Sequence, residues 1–191
     1  MPLYYLKFKC DLENVSELSF REDTLFKLDV ESESGERRDG ITFCTAEETE
    51  LTGSKGTILF IEYRRNTYLA QFVFFLLWLH ITFRLCVGTA NFVMKWDKTA
   101  THQAYIKVVS EKKFTGKYLS TDSGTKKTML CLECRGLVPV RWVAGVDLQC
   151  VTASGKRFNE VDLTDGDWAD YDDEADEAVS ITNAEHSFER A

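Results

Sequence analysis

The sequence predicts a mostly β, antiparallel protein, and two observations carry that prediction. The N-terminal residues alternate with period two: Tyr4, Leu6, Phe8, Cys10 and Leu12 share one parity, while Lys7, Lys9, Asp11 and Glu13 take the other. Short β-favouring runs then recur along the chain, separated by polar runs rich in Ser, Gly and charge. Of 191 residues, 44% are hydrophobic and 28% charged, with 11 Gly and 2 Pro, so disordered, collagen-like and disulfide-dense chains are excluded.

Each element follows in order. The alternation from Tyr4 to Leu12 is a half-buried strand, and the stretch after it reads as a connection. Phe26, Leu28 and Val30 against Lys27, Asp29 and Glu31 repeat the pattern and give a second strand. Further strands are expected at residues 41–43, 92–94, 105–109, 129–134, 138–143 and 158–163, with loops at 31–40 and 120–127. Near the C-terminus Trp168, Tyr171, Ala175 and Val179 fall at spacings of three and four, which predicts a short helix whose outer face carries Asp167, Asp170, Asp173 and Glu174. Asp165-Gly166-Asp167 has its glycine in the wrong place for an EF-hand loop, so this acidity reads as a solvated face.

One segment is foreign to the rest. Residues 66–83 hold no formal charge and are dominated by Phe72, Phe74, Phe75, Leu77 and Trp78. A membrane span needs about 17–25 apolar residues. A span here would place Gln71 and His80 in lipid and would put the strands on its two sides across a bilayer. The segment is therefore read as an inserted hydrophobic, helix-like piece, with a membrane-tethered protein spanning at about 68–87 as the alternative.

The net charge of −8 is concentrated at one end. Residues 160–191 hold twelve Asp or Glu against one Arg, and the preceding 159 residues hold 22 basic and 19 acidic side chains. No basic stripe is offered to a phosphate backbone, so nucleic-acid binding is not expected. The six cysteines are scattered, and the opening MPLYYLKFKC has no apolar run behind a basic one. The expectation is a cytoplasmic, reducing setting with thiols rather than disulfides.

The run Cys134-Arg135-Gly136-Leu137-Val138-Pro139-Val140, then Asp162-Leu163, then Asp167-Trp168-Ala169-Asp170-Tyr171-Asp172, closely resembles the eukaryotic CXXC motif containing zinc-binding proteins. Asp11-Leu12-Glu13-Asn14-Val15, Lys55-Gly56 and Val93-Met94-Lys95 extend the resemblance over nearly all the chain outside about 57–88. It implies a mostly β unit with two antiparallel sheet regions over residues 1–191, interrupted by the insert. It also implies a structural zinc held by two CxxC pairs, a closed tetrahedral site with no position left for substrate.

This chain keeps none of the four thiols. The resemblance aligns the first pair with Glu31 and Ser34, or one residue earlier with Val30 and Glu33, and the second pair with Trp96 and Thr99. An indole has no lone pair to offer a metal and a Thr hydroxyl is a poor zinc ligand, so the site is expected to be degenerate and no cofactor is expected. Trp96 is expected to plug the space. The CxxC of Cys131-Leu132-Glu133-Cys134 is a different pair, whose two thiols point to opposite faces of a strand.

Joining Gly56 to Thr89 restores an unbroken family stretch, and Gly-Thr stands at both joints. The amino acids permit intron donor and acceptor codons at the two ends, so a retained, translated intron is favoured over a selected membrane or docking insert.

No nucleophile, base and orienting residue assemble around His80, His102 or His186. The expectation is a non-enzymatic binding or adaptor protein, meeting an unknown protein partner through the acidic segment around Trp168 and Tyr171. A second alternative is a zinc-binding protein using Cys131, Cys134 and tail carboxylates.

Overall fold

The computed structural model describes residues 2–51, 88–98, 102–109 and 116–191. The strands are β1 (Leu3–Glu13), β2 (Val15–Phe20), β3 (Leu25–Glu31), β4 (Arg37–Cys44), β5 (Thr49–Glu50), β6 (Thr89–Ala90), β7 (Phe92–Met94) and β8 (Ala104–Val108). They continue as β9 (Lys117–Leu119), β10 (Lys127–Arg135), β11 (Val138–Trp142), β12 (Leu148–Thr152), β13 (Arg157–Val161), β14 (Trp168–Asp172) and β15 (Glu177–Arg190). The expected mostly β, antiparallel class holds. Among the described residues there are four hydrogen-bonded sheets rather than two regions: β14-β15-β1-β10-β8-β7, β13-β12-β2-β9, β11-β3-β4 and β5-β6.

β1 is the axis of the largest sheet. It pairs antiparallel with β10 on one side and with β15 on the other, so Tyr4 faces Leu132 and Arg190 across the two ladders. Its alternation is the one read from the sequence: Tyr4, Leu6, Phe8 and Cys10 are buried, and the residues between them are partly wet. Phe8 meets the Tyr118 and Trp142 rings edge to face, with centroids 5.6 Å and 6.4 Å away. These rings join Leu18, Phe26, Leu28, Leu132, Leu148 and Ile181 in a single buried cluster fed by the three larger sheets.

Three expectations are corrected. The stretch after β1 is a strand, β2, rather than a connection. Its pairing with β12 slips between Val151 and Thr152, so Val15 and Leu18, three apart, both turn inward and no period-two signal survives. The expected loop at 31–40 is shorter, because β4 begins at Arg37.

The C-terminal acidic helix is a β-hairpin, β14 to β15. The Asp172 carboxylate accepts the Glu174 and Ala175 amides at 3.1 Å and 3.4 Å, and Asp176 takes a left-handed φ of 57°. Aspartate closing a turn with its own side chain competes with helix. Val179 and Ile181 then alternate inward on β15, while Tyr171 faces solvent. The hydrophobic, helix-like segment at 57–88 and the alternative span at 68–87 lie outside the described residues. Among the described residues no helix is long and apolar enough to cross a membrane.

Candidate metal centre

The first pair of implied ligand positions lies at the β3–β4 turn. Ser32 donates its amide to the Glu36 carbonyl at 2.7 Å and accepts the Gly35 amide on its carbonyl at 3.0 Å, and its Oγ takes the Glu36 amide at 2.9 Å. Gly35 supplies the positive φ, 85°, that this tight reversal needs. Ser34 is exposed and its hydroxyl is already engaged, 2.8 Å from the Ser32 Oγ. Glu31 ends β3 half-buried, with Oε1 3.9 Å from where a side chain on Gly35 would start.

The second pair follows β7. Thr99 lies outside the described residues. Trp96 is half-buried against the core cluster and is held from three directions. Its Nε1 donates to the Gly136 carbonyl at 2.7 Å. Arg38 of β4 donates from Nη2 to the Trp96 carbonyl at 2.6 Å, and its guanidinium carbon sits 5.3 Å from the indole centroid. Glu36, Arg38, Lys95, Trp96, Asp97 and Lys98 line one shallow hollow, so the two turns converge. What meets there is a guanidinium and an indole. Gly136, in the turn between β10 and β11, has φ 66°, a left-handed backbone that favours glycine, while a Cβ on it would meet the Ala104 Cβ at an ordinary 3.4 Å.

A carboxylate, a hydroxyl already bonded to a neighbouring serine and an indole committed to a carbonyl do not form a zinc ligand set. Among the described residues no cluster of three or more His, Cys, Asp or Glu could hold a metal. The other CxxC is no substitute. Cys134 lies in the main core cluster, while Cys131, also buried, lines a cavity with Cys150, and at a spacing of three the strand sends them to opposite faces. Burial, with Glu133 and Cys131 nearby, drives the Cys134 thiol far above the ordinary range, and burial likewise pushes Cys10 and Cys150 up to about 12.

Two polar residues beside this region escaped the sequence reading. Asp29, assigned by parity to the wet face, is only 1% exposed. It accepts the Gly40 amide and the Arg141 Nε, each at 2.9 Å, with Arg141 Nη2 at 2.9 Å and Arg37 Nη2 at 3.5 Å. Burial opposes its charge, and the Gly40 amide with the two guanidiniums outweighs burial, leaving the carboxyl below its usual range. Arg38 was hidden in an ordinary polar run, and no local signal marks it. At the acidic end, Trp168 packs its ring 5.3 Å from Phe158, whereas Tyr171 is 49% exposed and its hydroxyl contacts Asp176.

The fold is matched by known proteins. The profile of the eukaryotic CXXC motif containing zinc binding protein family matches residues 85–189, and the chain belongs to that family. The matched stretch includes Trp96 and Thr99 and does not reach Glu31 or Ser34. A CXXC motif containing zinc binding protein from Xenopus laevis is 40% identical over 72 residues, 37% of this chain and 45% of that one. Its counterpart from Homo sapiens is 35% identical over 103 residues, 53% and 62% of the two chains. The chain spans about half the length of the curated relatives it matches. A hypothetical protein from Plasmodium falciparum of known structure shares the fold, with a TM-score of 0.77 at 22% identity, covering 99% of this chain and 100% of its own.

Proposed function

We propose that this chain is a non-enzymatic family member, acting as a binding or adaptor protein, whose structural zinc site is degenerate. The observation that carries the reading is Trp96: at an implied ligand position stands an indole whose nitrogen is bonded to Gly136 and whose ring lies under Arg38. A closed site lends stability and no chemistry, so its loss removes no reaction. Elemental analysis of protein purified without chelator tests this. Well under one zinc per chain is expected, and stoichiometric zinc surviving dialysis would overturn it.

The same reading assigns a cytoplasmic setting and a protein partner carrying basic residues, met through the acidic β14–β15 hairpin. The hairpin turn and its strand carry Asp170, Asp173 and Glu174 beside the exposed Tyr171, which supports the assignment. Tyr171→Ala should weaken capture of such a partner without changing thermal stability. Residues 57–88 are assigned to a retained intron, and the genomic DNA across codons 56 to 88 decides it.

A further inference from the structure

We propose that Arg38 is the cross-link that replaces the metal ion, an organic cation tying the two turns together. The inference rests on the degenerate-site reading and adds the residue that does the ion's mechanical work. An ion held by two separated turns does one thing for the fold: it places positive charge between them and draws both toward it. Arg38 meets that requirement from β4, two residues beyond the Glu36 that closes the first turn. It donates to the main-chain carbonyl of Trp96 at 2.6 Å, so it grips the second turn by its backbone and not only by its side chain. Its guanidinium lies over the Trp96 ring at 5.3 Å, and the Glu36 carboxylate of the first turn stands 4.0 Å from Nη2.

The ring is itself anchored at its far edge, because Nε1 is bonded to Gly136 of a third turn, between β10 and β11. The chain of contacts therefore runs β4, Arg38, Trp96, Gly136, and joins the three-stranded sheet to the six-stranded one without metal. A guanidinium suits this place better than an ammonium: its plane stacks on the indole while its edge still donates. The convergence of the turns is then indifferent to chelators and to thiol oxidation.

A double-mutant cycle of Arg38→Met and Trp96→Leu, followed by urea unfolding with far-UV circular dichroism, tests the cross-link. Met keeps the apolar stem and removes the charge and the donors. Arg38→Met should lower the folding equilibrium constant about tenfold in the wild-type background, the loss of a charge-assisted bond from a half-exposed group. In the Trp96→Leu background the same change should cost about two- to fivefold less, since the ring contact is already gone. A cost below about twofold, the usual surface value, or an absent coupling, would overturn the proposal. Should Arg38→Met not fold, Arg38→Lys takes its place in the cycle, and the same coupling criterion decides. Zinc measured on the wild-type sample reports on the degenerate site separately: stoichiometric zinc sinks that reading, whereas a null cycle in zinc-free protein sinks only the cross-link. Added EDTA should leave the wild-type unfolding midpoint unchanged, and a fall in the midpoint would likewise overturn the proposal.

Discussion

Trp96→Ala should destabilise the protein by about 3–4 kcal/mol, and each part of that figure has a structural source. A fully buried indole withdraws about 150–250 Å² from water. Trp96 is half-buried, so about 100 Å² is lost, worth about 2.5 kcal/mol at 25 cal/mol per Å². The bond from Nε1 to the Gly136 carbonyl contributes about 1 kcal/mol, and the Arg38 contact on the ring about 0.5 kcal/mol. Urea unfolding followed by far-UV circular dichroism is the suitable assay, because the substitution alters tryptophan fluorescence directly. With a slope of about 2 kcal/mol per molar urea, the midpoint should fall by about 1.5–2 M. Trp96→Phe keeps a ring over which Arg38 can lie and loses the N–H, so its loss should be smaller, about 1 kcal/mol plus a little packing. A change below about 0.5 kcal/mol for Trp96→Ala, the surface value, would show that Trp96 is an ornament of the loop with no part in holding the turns.

Three further outcomes are expected. Asp29→Asn should cost about 1.5–3 kcal/mol, less than the ~3–5 kcal/mol of a wholly buried pair, because Arg37 and Arg141 remain half in water. Since the folded carboxyl titrates below its ordinary value, the stabilisation is present above about pH 4 and fades on acidification, so the gap between wild type and Asn should close in acid. Asp172 is held down to about 2, first by the Ser154 hydroxyl at 2.5 Å, then by Thr152 and the Glu174 and Ala175 amides, against the cost of burial. Ser154→Ala should therefore raise the Asp172 pKa in a carbon-detected NMR titration, lower stability above about pH 4, and flatten the loss of stability as pH falls from about 4 toward 2. Gly136→Ala should cost about 1–2 kcal/mol for the left-handed backbone and should shift the Trp96 emission by moving its acceptor. An unshifted spectrum with normal stability would show that the turn yields freely.

What was legible in the sequence is what local chemistry dictates. The β1 alternation and the β3 parity at Phe26, Leu28 and Val30 turn one set of side chains to the core, and the β-favouring runs that became β7, β8, β10, β11 and β13 were read from composition, although β10 buries side chains on both faces. β2 was illegible because the slip against β12 is a property of the partner, not of residues 15–20. The acidic hairpin was misread because Trp168, Tyr171, Ala175 and Val179 imitate a helical stripe, although only Val179 among them is fully buried. Asp172 decides between the two forms: its carboxylate closes the turn and meets Ser154 from a distant strand connection, which no periodicity reveals. The positions that the resemblance aligns with the family's thiols could be read directly, while the contact of Arg38 with Trp96 could not, since the two lie 58 residues apart in the chain.

On the proposed reading, the fold would have to stand without the metal, and its sheets show how. A structural zinc is indispensable where little else closes the chain. Here β1 runs between β10 and β15 through long ladders, and a buried cluster of Trp142, Tyr118, Phe26 and their neighbours is fed by the three larger sheets. The two turns that the resemblance aligns with the zinc ligands hang from the ends of strands already fixed: β3 lies between β11 and β4, and β7 pairs with β8. What remains is to keep those turns from splaying, which asks for a few kcal/mol and not for the whole of a zinc site's binding energy. A guanidinium bonded to one backbone carbonyl and lying 5.3 Å over one indole would supply that order of energy. On the proposed reading the site would also respond to different conditions. A thiolate cage gives up its ion to chelators and oxidants, whereas Arg38 keeps its charge at every physiological pH.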